Sequence, residues 1–144
     1  RTRQDYVLAE QAGIDVVFGQ TQNVLRDAKQ AWVASGTATL EAALLNTPMV
    51  VAYRTSELTY RLAKRLARVN FISLPNLLLD RACVPELIQH DCTATRLLEA
   101  TQKGLEGQLK GFDDLRNALG ESGAAQALAQ RVAKVLGEGG EPHR

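Results

Sequence analysis

Ser35, Gly36 and Thr37 stand between an apolar run, Ala31–Ala34, and a stretch of helical periodicity in which Leu40, Ala43 and Leu44 share a face. Small residues at a strand-to-helix junction leave backbone N–H groups facing outward, and the helix dipole adds partial positive charge there, so such a junction suits an anion. Gly36 lets a ligand approach the main chain closely, while Ser35 or Thr37 can cap the helix or donate a hydroxyl to a phosphate. Glu41 falls one turn after Thr37 on the same helical face. A carboxylate is unsuited to phosphate but can accept two hydrogen bonds from a ribose diol. Together these residues make a mouth for a nucleoside diphosphate. They also have a plain structural reading, in which Ser-Gly-Thr starts a helix and Glu41 complements its dipole.

Such a mouth needs a sheet behind it. The spacing predicts a helix over 5–12 closed by Gly13, a short buried strand over 14–18, and a helix capped by Thr21 with Val24, Leu25 and Ala28 as its apolar positions. The strand Ala31–Ala34 follows, then the central helix, stopped by Asn46 in a left-handed conformation and by Pro48. Met49–Tyr53 reads as the next buried strand. Arg54, at its carboxyl end, is placed either to meet the ligand crevice or to make a rim salt bridge. Residues 57–68 form the clearest amphipathic helix: Leu58, Leu62 and Leu66 line one side, and Arg61, Lys64, Arg65 and Arg68 make a basic face. That face is either solvated or set against anionic headgroups. Residues 71–74 are expected as a fourth strand, ended by Pro75 and Asn76. Pro85 suits the first position of a helix, which puts Glu86 and Gln89 on one face. Further helices are expected over 94–109, capped by Asp91 or Thr93, and over 112–119 and 123–136. Alternating strands and helices argue for parallel βαβ units with right-handed crossovers.

Composition narrows the classes. A chain of 144 residues suits one domain with a real core, and 17 basic against 16 acidic residues give no field for nucleic acid. The two cysteines, Cys83 and Cys92, make no disulfide framework, and nothing resembles a signal peptide or a bilayer-spanning stretch. A reducing cytoplasm is the default. The only methionine is Met49, so the chain reads as a fragment or a processed product. His90, Asp91 and Cys92 are adjacent and point in different directions, so no metal site is expected from them, and no cofactor is called for.

Longer words are more specific. Residues 34–48, then Met49-Val50-Val51-Ala52-Tyr53-Arg54, Leu58-Thr59-Tyr60 and Leu62-Ala63-Lys64-Arg65-Leu66, closely resemble the lipid-A-disaccharide synthase family. Ile72-Ser73-Leu74-Pro75-Asn76-Leu77 and Val84-Pro85-Glu86-Leu87-Ile88-Gln89 look like that family's next two motifs in the same order. The resemblance implies an α/β, three-layer, Rossmann-like and mostly parallel sheet, the C-terminal domain of a GT-B glycosyltransferase, with a helical C-terminal tail. Residues 1–110 would be a partial UDP-sugar-binding domain lacking its first strand or strands, and residues 111–144 the tail.

By the same resemblance the donor is UDP-2,3-diacylglucosamine and the acceptor 2,3-diacylglucosamine 1-phosphate (lipid X). UDP leaves, and the general base comes from the other domain. The enzyme would sit at the cytoplasmic face of the inner membrane, against an anionic surface, with homo-oligomerisation left open. The site residues implied are Ser35, Gly36, Thr37, Glu41, Arg54, Asn76, Glu86 and Gln89. Alone, Asn76 reads as a turn residue; the family motif makes it a site candidate. Glu86 and Gln89 would either face the donor sugar or merely stabilise the start of their helix. The family usually has glycine where this chain has Asp80, which bears on the shape of the 77–81 loop. Two other readings stand beside this one. A UDP-N-acetylglucosamine 2-epimerase shares the fold but wants adjacent acids after the Ser-Gly turn, where Leu40-Glu41-Ala42 offers one. A non-catalytic α/β binding module is the other; a phosphoacceptor receiver would need a clustered acidic pocket that is not seen.

Overall fold

A computed structural model of the chain describes residues 7, 9–56, 70–103 and 107–120. Strands β1 (Ala31–Ala34), β2 (Met49–Tyr53) and β3 (Glu86–Ile88) form a parallel sheet in the order β1-β2-β3. The first two match the expected strands residue for residue. Helix α1 (Thr21–Asp27) precedes β1, α2 (Thr37–Leu44) joins β1 to β2, and α3 (Leu74–Leu79) precedes β3. A 3-10 turn (Gln89–Asp91) follows β3, and α4 (Ala94–Gln102) and α5 (Gln108–Leu119) come last.

Side chains alternate across the sheet and so sort the helices into two outer layers. Val33 and its register partner Val51 join Met49 in a core with Ala42 and Ala43 of α2 and Phe112, Leu115 and Leu119 of α5. Leu78 and Leu79 of α3 pack against the same core. Val50 is also fully buried, on the opposite face. There its register partner Trp32 donates its indole N–H to Thr101 on α4, at 2.9 Å. The chain is thus an α/β fold of three layers. Burying side chains such as Phe112, Met49 and Leu115 stabilises it by about 1.5–3 kcal/mol each.

Asn46 closes α2 as its type suggests. Its φ is 59°, its N–H donates to the Ala43 carbonyl (3.2 Å), and the N–H of Thr47 reaches back to Ala42 (2.9 Å). The Thr47 hydroxyl then donates to the Leu25 carbonyl at 2.7 Å, tying α1 to the turn into β2. Asp80, where the resemblance leads to an expectation of glycine, takes a left-handed conformation that glycine favours, with φ 53° and ψ 35°. Aspartate tolerates that region better than most residues.

Four expectations are corrected. Residues 14–18 adopt no strand; Ile14, Val17 and Phe18 are more than half exposed, and the described sheet offers that run no ladder. A β-branched run supplies propensity, but pairing makes a strand. Thr21 lies inside α1, whose N-cap is Gln20 without a side-chain hydrogen bond. The expected 94–109 helix is two: α4, capped by Thr93 accepting from the Arg96 N–H, ends at Gln102, and α5 starts at Gln108 and includes the expected 112–119 helix. The basic helix over 57–68 and the helix over 123–136 lie outside the described residues.

The fourth correction concerns two segments together. Residues 71–74 are not a strand, and Pro85 does not start a helix; the strand is Glu86–Ile88. Glu86 explains both. Its carboxylate accepts from the N–H groups of Ile72 and Ser73 (both 2.9 Å), the Ser73 hydroxyl (2.6 Å) and the Asn76 amide (2.8 Å). The Ile72 carbonyl accepts from the Ser35 hydroxyl at 2.9 Å. Backbone groups that a fourth strand would need are therefore taken by side chains. Pro75, lacking an N–H, fits the first turn of α3 instead. Pro85 passes its carbonyl to the Val51 N–H (2.9 Å) at the start of an edge strand, a place that tolerates proline.

Two stability predictions follow from this packing. Glu86→Gln should lower stability by about 1–3 kcal/mol, because an amide cannot accept from all four donors and leaves part-buried N–H groups unmet. A urea titration that finds the two proteins equal would refute this. Gly111 on α5 is buried, and a Cβ there would fall well inside van der Waals contact of Cys83 Sγ. Gly111→Ala should lower the urea midpoint through overpacking of about 1–3 kcal/mol. In a Cys83→Ala background the same change should raise it, since alanine is the better helix former by about 1 kcal/mol. An unchanged sign in the two backgrounds would exclude the clash.

Candidate functional site

Parallel strands present their carboxyl ends on one side, and in open α/β sheets ligands bind there. Three segments emerge on that side: Ser35–Gly36–Thr37 after β1, Arg54–Thr55 after β2, and Gln89 after β3.

Gly36 is the N-cap of α2, with φ 141° and ψ −164°, a conformation that side-chain-bearing residues rarely adopt. Among the described residues, nothing beyond its chain neighbours and its own helix lies within 4 Å of where its Cβ would be. Glycine is therefore demanded by the backbone bend and not by crowding, and the space before the bend is open. Of the two roles open to Ser35 and Thr37, capping the helix is taken by neither. The Ser35 hydroxyl is turned to Ile72, and Thr37 is exposed. Thr39, which sequence reasoning missed, does the local work. It is fully buried, donates its hydroxyl to the Gly36 carbonyl (2.7 Å), and accepts from the Leu74 N–H (3.3 Å). One hydroxyl thus joins the starts of α2 and α3. Its signal in the sequence is faint, a threonine three residues past the glycine.

Glu41 lies on α2 one turn after Thr37 and is half-buried. Arg54 is exposed, directly after β2. The structure therefore sets the Ser35–Gly36–Thr37 bend and Arg54 at the ends of adjacent strands, with Glu41 on the helix that the bend begins.

The other three candidates serve the protein's own backbone. Asn76 is 1% exposed. Its Oδ1 accepts from the N–H groups of Cys83 (2.7 Å) and Val84 (2.9 Å), and its Nδ2 donates to the Val84 carbonyl (2.9 Å) and to Glu86 (2.8 Å). Two lone pairs and two protons are all that an amide has, so Asn76 has nothing left for a uracil. Glu86, far from sharing a helical face with Gln89, holds the 72–76 segment as described. Gln89 is 5% exposed with φ 53°, and its amide accepts from the Thr55 N–H (2.7 Å) and donates to the Thr55 carbonyl (3.0 Å).

Chemistry elsewhere is sparse among the described residues. Asp91 pairs with Arg96, and no group of three or more His, Cys, Asp or Glu side chains could hold a metal. Burial pushes the Cys83 thiol pKa up; Arg81 opposes this and Asp114 adds to it. A thiol so placed stays protonated at neutral pH and is a poor nucleophile. A cleft of 760 Å³ lies between β3, α4 and α5, lined in part by Pro85, Leu87, Arg96, Lys103 and Gln108. Gln108, one of its lining residues, bonds Met49 at the amino end of β2, and none of Ser35, Gly36, Thr37, Glu41 or Arg54 lines this cleft.

Relatives place this architecture. The family model for lipid-A-disaccharide synthetase matches residues 6–132. A lipid-A-disaccharide synthase of Pseudomonas fluorescens is 44% identical over 128 residues, covering 87% of this chain and 34% of the relative. Proteins of the same name from Hahella chejuensis (46% over 110 residues, 71% of this chain and 28% of the relative) and Myxococcus xanthus (40% over 130 residues, 86% and 34%) are similar. The chain spans about a third of the length of these relatives. The match runs through every strand and helix that carries the Gly36 bend, and the chain belongs to the lipid-A-disaccharide synthetase family.

Proposed function

We propose that the chain is most of the donor-binding domain of a GT-B glycosyltransferase of lipid A biosynthesis. The donor is UDP-2,3-diacylglucosamine, its sugar passes to 2,3-diacylglucosamine 1-phosphate (lipid X), and UDP is released. The observation that carries this reading is the Gly36 bend, open to solvent at the head of α2 and beside the carboxyl end of β2.

The chemistry follows from what a departing diphosphate needs. Negative charge grows on its bridging oxygen, and backbone N–H groups at the start of α2, aligned with the helix dipole, stabilise that charge without reorganising. Arg54, directly after the neighbouring strand, supplies a full positive charge. Glu41, one turn along α2, accepts from the ribose diol. Asn76, Glu86 and Gln89 act on the protein side, holding the loops from which those groups project. The general base and the acceptor pocket belong to the remainder of a longer protein. No helix among the described residues is long and apolar enough to cross a membrane. Contact with the inner membrane would be peripheral, through the basic face over residues 57–68.

Two measurements test this. Glu41→Ala should weaken UDP and uridine monophosphate by about ten- to a hundredfold, since charge-assisted hydrogen bonds contribute about 1.5–3 kcal/mol each before desolvation. Pyrophosphate, having no ribose, should bind nearly unchanged. Calorimetric titration showing equal UDP affinity in both proteins would remove Glu41 from the site. Separately, purified residues 1–144 should not turn over UDP-sugar and lipid acceptor; product formed by that fragment would overturn the two-domain assignment.

A further inference from the structure

β2 has more backbone to satisfy than β3 can serve. The N–H of Val51 bonds the carbonyl of Pro85, immediately before β3, so odd-numbered residues of β2 direct their backbone groups toward β3. The register ends at Val51↔Glu86 on one side and Tyr53↔Ile88 on the other. By the same alternation Met49 and Thr55 point their N–H and C=O toward places where β3 has no residue. A side-chain amide fills each place. Gln108 accepts from the Met49 N–H (2.9 Å) and donates to the Met49 carbonyl (2.8 Å), and Gln89 does the same for Thr55. Both glutamines are buried. An amide side chain carries the same donor and acceptor as a peptide group, so each glutamine stands in for one missing strand residue.

The two ends differ in what lies beside them. Gln108 holds the amino end of β2, remote from the Gly36 bend. Gln89 holds Thr55, and Arg54 lies between that clamp and the last ladder pair. Gln89 keeps this position at φ 53°, a conformation costly for a residue of its type. We propose that Gln89 is a positioning residue. By extending the β2–β3 ladder one step through its side chain, it fixes the backbone on both sides of Arg54 and so aims the guanidinium at the ligand's phosphates. This rests on the reading of Arg54 as a phosphate-binding group. It also replaces direct contact between Gln89 and the sugar nucleotide.

The test is a mutant cycle in the full-length protein that carries this sequence, titrated with UDP and, separately, with uridine. Arg54→Ala should weaken UDP about tenfold and leave uridine nearly unchanged. Gln89→Ala alone should weaken UDP about three- to tenfold, again sparing uridine, and should weaken it no further in the Arg54→Ala background. Gln108→Ala, the matched clamp at the far end, should lower the urea midpoint without changing UDP affinity. Gln89→Met keeps the buried volume while removing both bonds, and replaces Gln89→Ala should that variant not fold. A Gln89 loss that persists in the Arg54→Ala background would overturn the proposal in favour of direct contact. An equal loss in Gln108→Ala would overturn it in favour of general softening of the sheet, and wild-type UDP affinity in the Gln89 variants would overturn it outright. Should Arg54→Ala itself bind UDP normally, the phosphate-site reading fails, and the positioning role fails with it.

Discussion

A carboxylate with four donors around it is the joint of this structure. Glu86 sits where β3 begins, yet its hydrogen bonds run to the segment that crosses toward β1. That segment carries the carbonyl that Ser35 reaches and the N–H that Thr39 accepts, so the bend at Gly36 is referenced to β3 through Glu86. A half-buried carboxylate is costly without partners, and it becomes stabilising only when its lone pairs are all matched. Here they are matched by N–H and O–H groups from one short stretch, Ile72 to Asn76. The arrangement makes the loop as well defined as the sheet.

The same economy of polar groups governs the strands. β3 is three residues long, shorter than the backbone it must serve on β2. A longer β3 would have satisfied Met49 and Thr55 directly. Instead two glutamines from later in the chain complete the ladder, which frees the main chain after Ile88 to turn into the 3-10 segment and on to α4. Backbone groups left unmet in a buried place cost as much as a lost hydrogen bond, so these amides are part of the sheet in energetic terms.

This division of labour clarifies the candidate site. Residues of one chemical type take different roles according to what already surrounds them. Glu86 has its four donors within the protein, whereas Glu41 lies half-buried on the helix that starts at the bend. Asn76 uses all its capacity on residues 83–86, and Ser35 gives its proton to Ile72. Under the proposed function, the ligand would meet mostly backbone at the Gly36 bend, with Arg54 and Glu41 beside it. Main-chain donors held in place by side chains would suit a large anionic leaving group, because preorganised donors need no reorganisation when charge develops.

Local chemistry in the sequence determined a good deal by itself. The runs Ala31–Ala34 and Met49–Tyr53 appear as strands, since short continuous apolar stretches between small or turn-forming residues have few alternatives. Gly36 and Asn46 announced their backbone conformations by residue type, and the family words spanning residues 34–89 announced the family. What only tertiary structure decided was the state of segments whose local signals were ambiguous and the partners of polar side chains. Residues 14–18 and 71–74 have strand composition, but a strand exists only where a neighbour offers a ladder, and here none is offered or side chains have taken its place. Pro85 has a helix-start signal that the open hydrogen bond at Val51 outweighs. Glu86, Asn76 and Gln89 become ligand-facing candidates through the family motifs, while their residue types alone leave a turn or a helix start equally open. Their donors and acceptors lie up to 34 positions away along the chain, a distance over which residue spacing carries no information about contact.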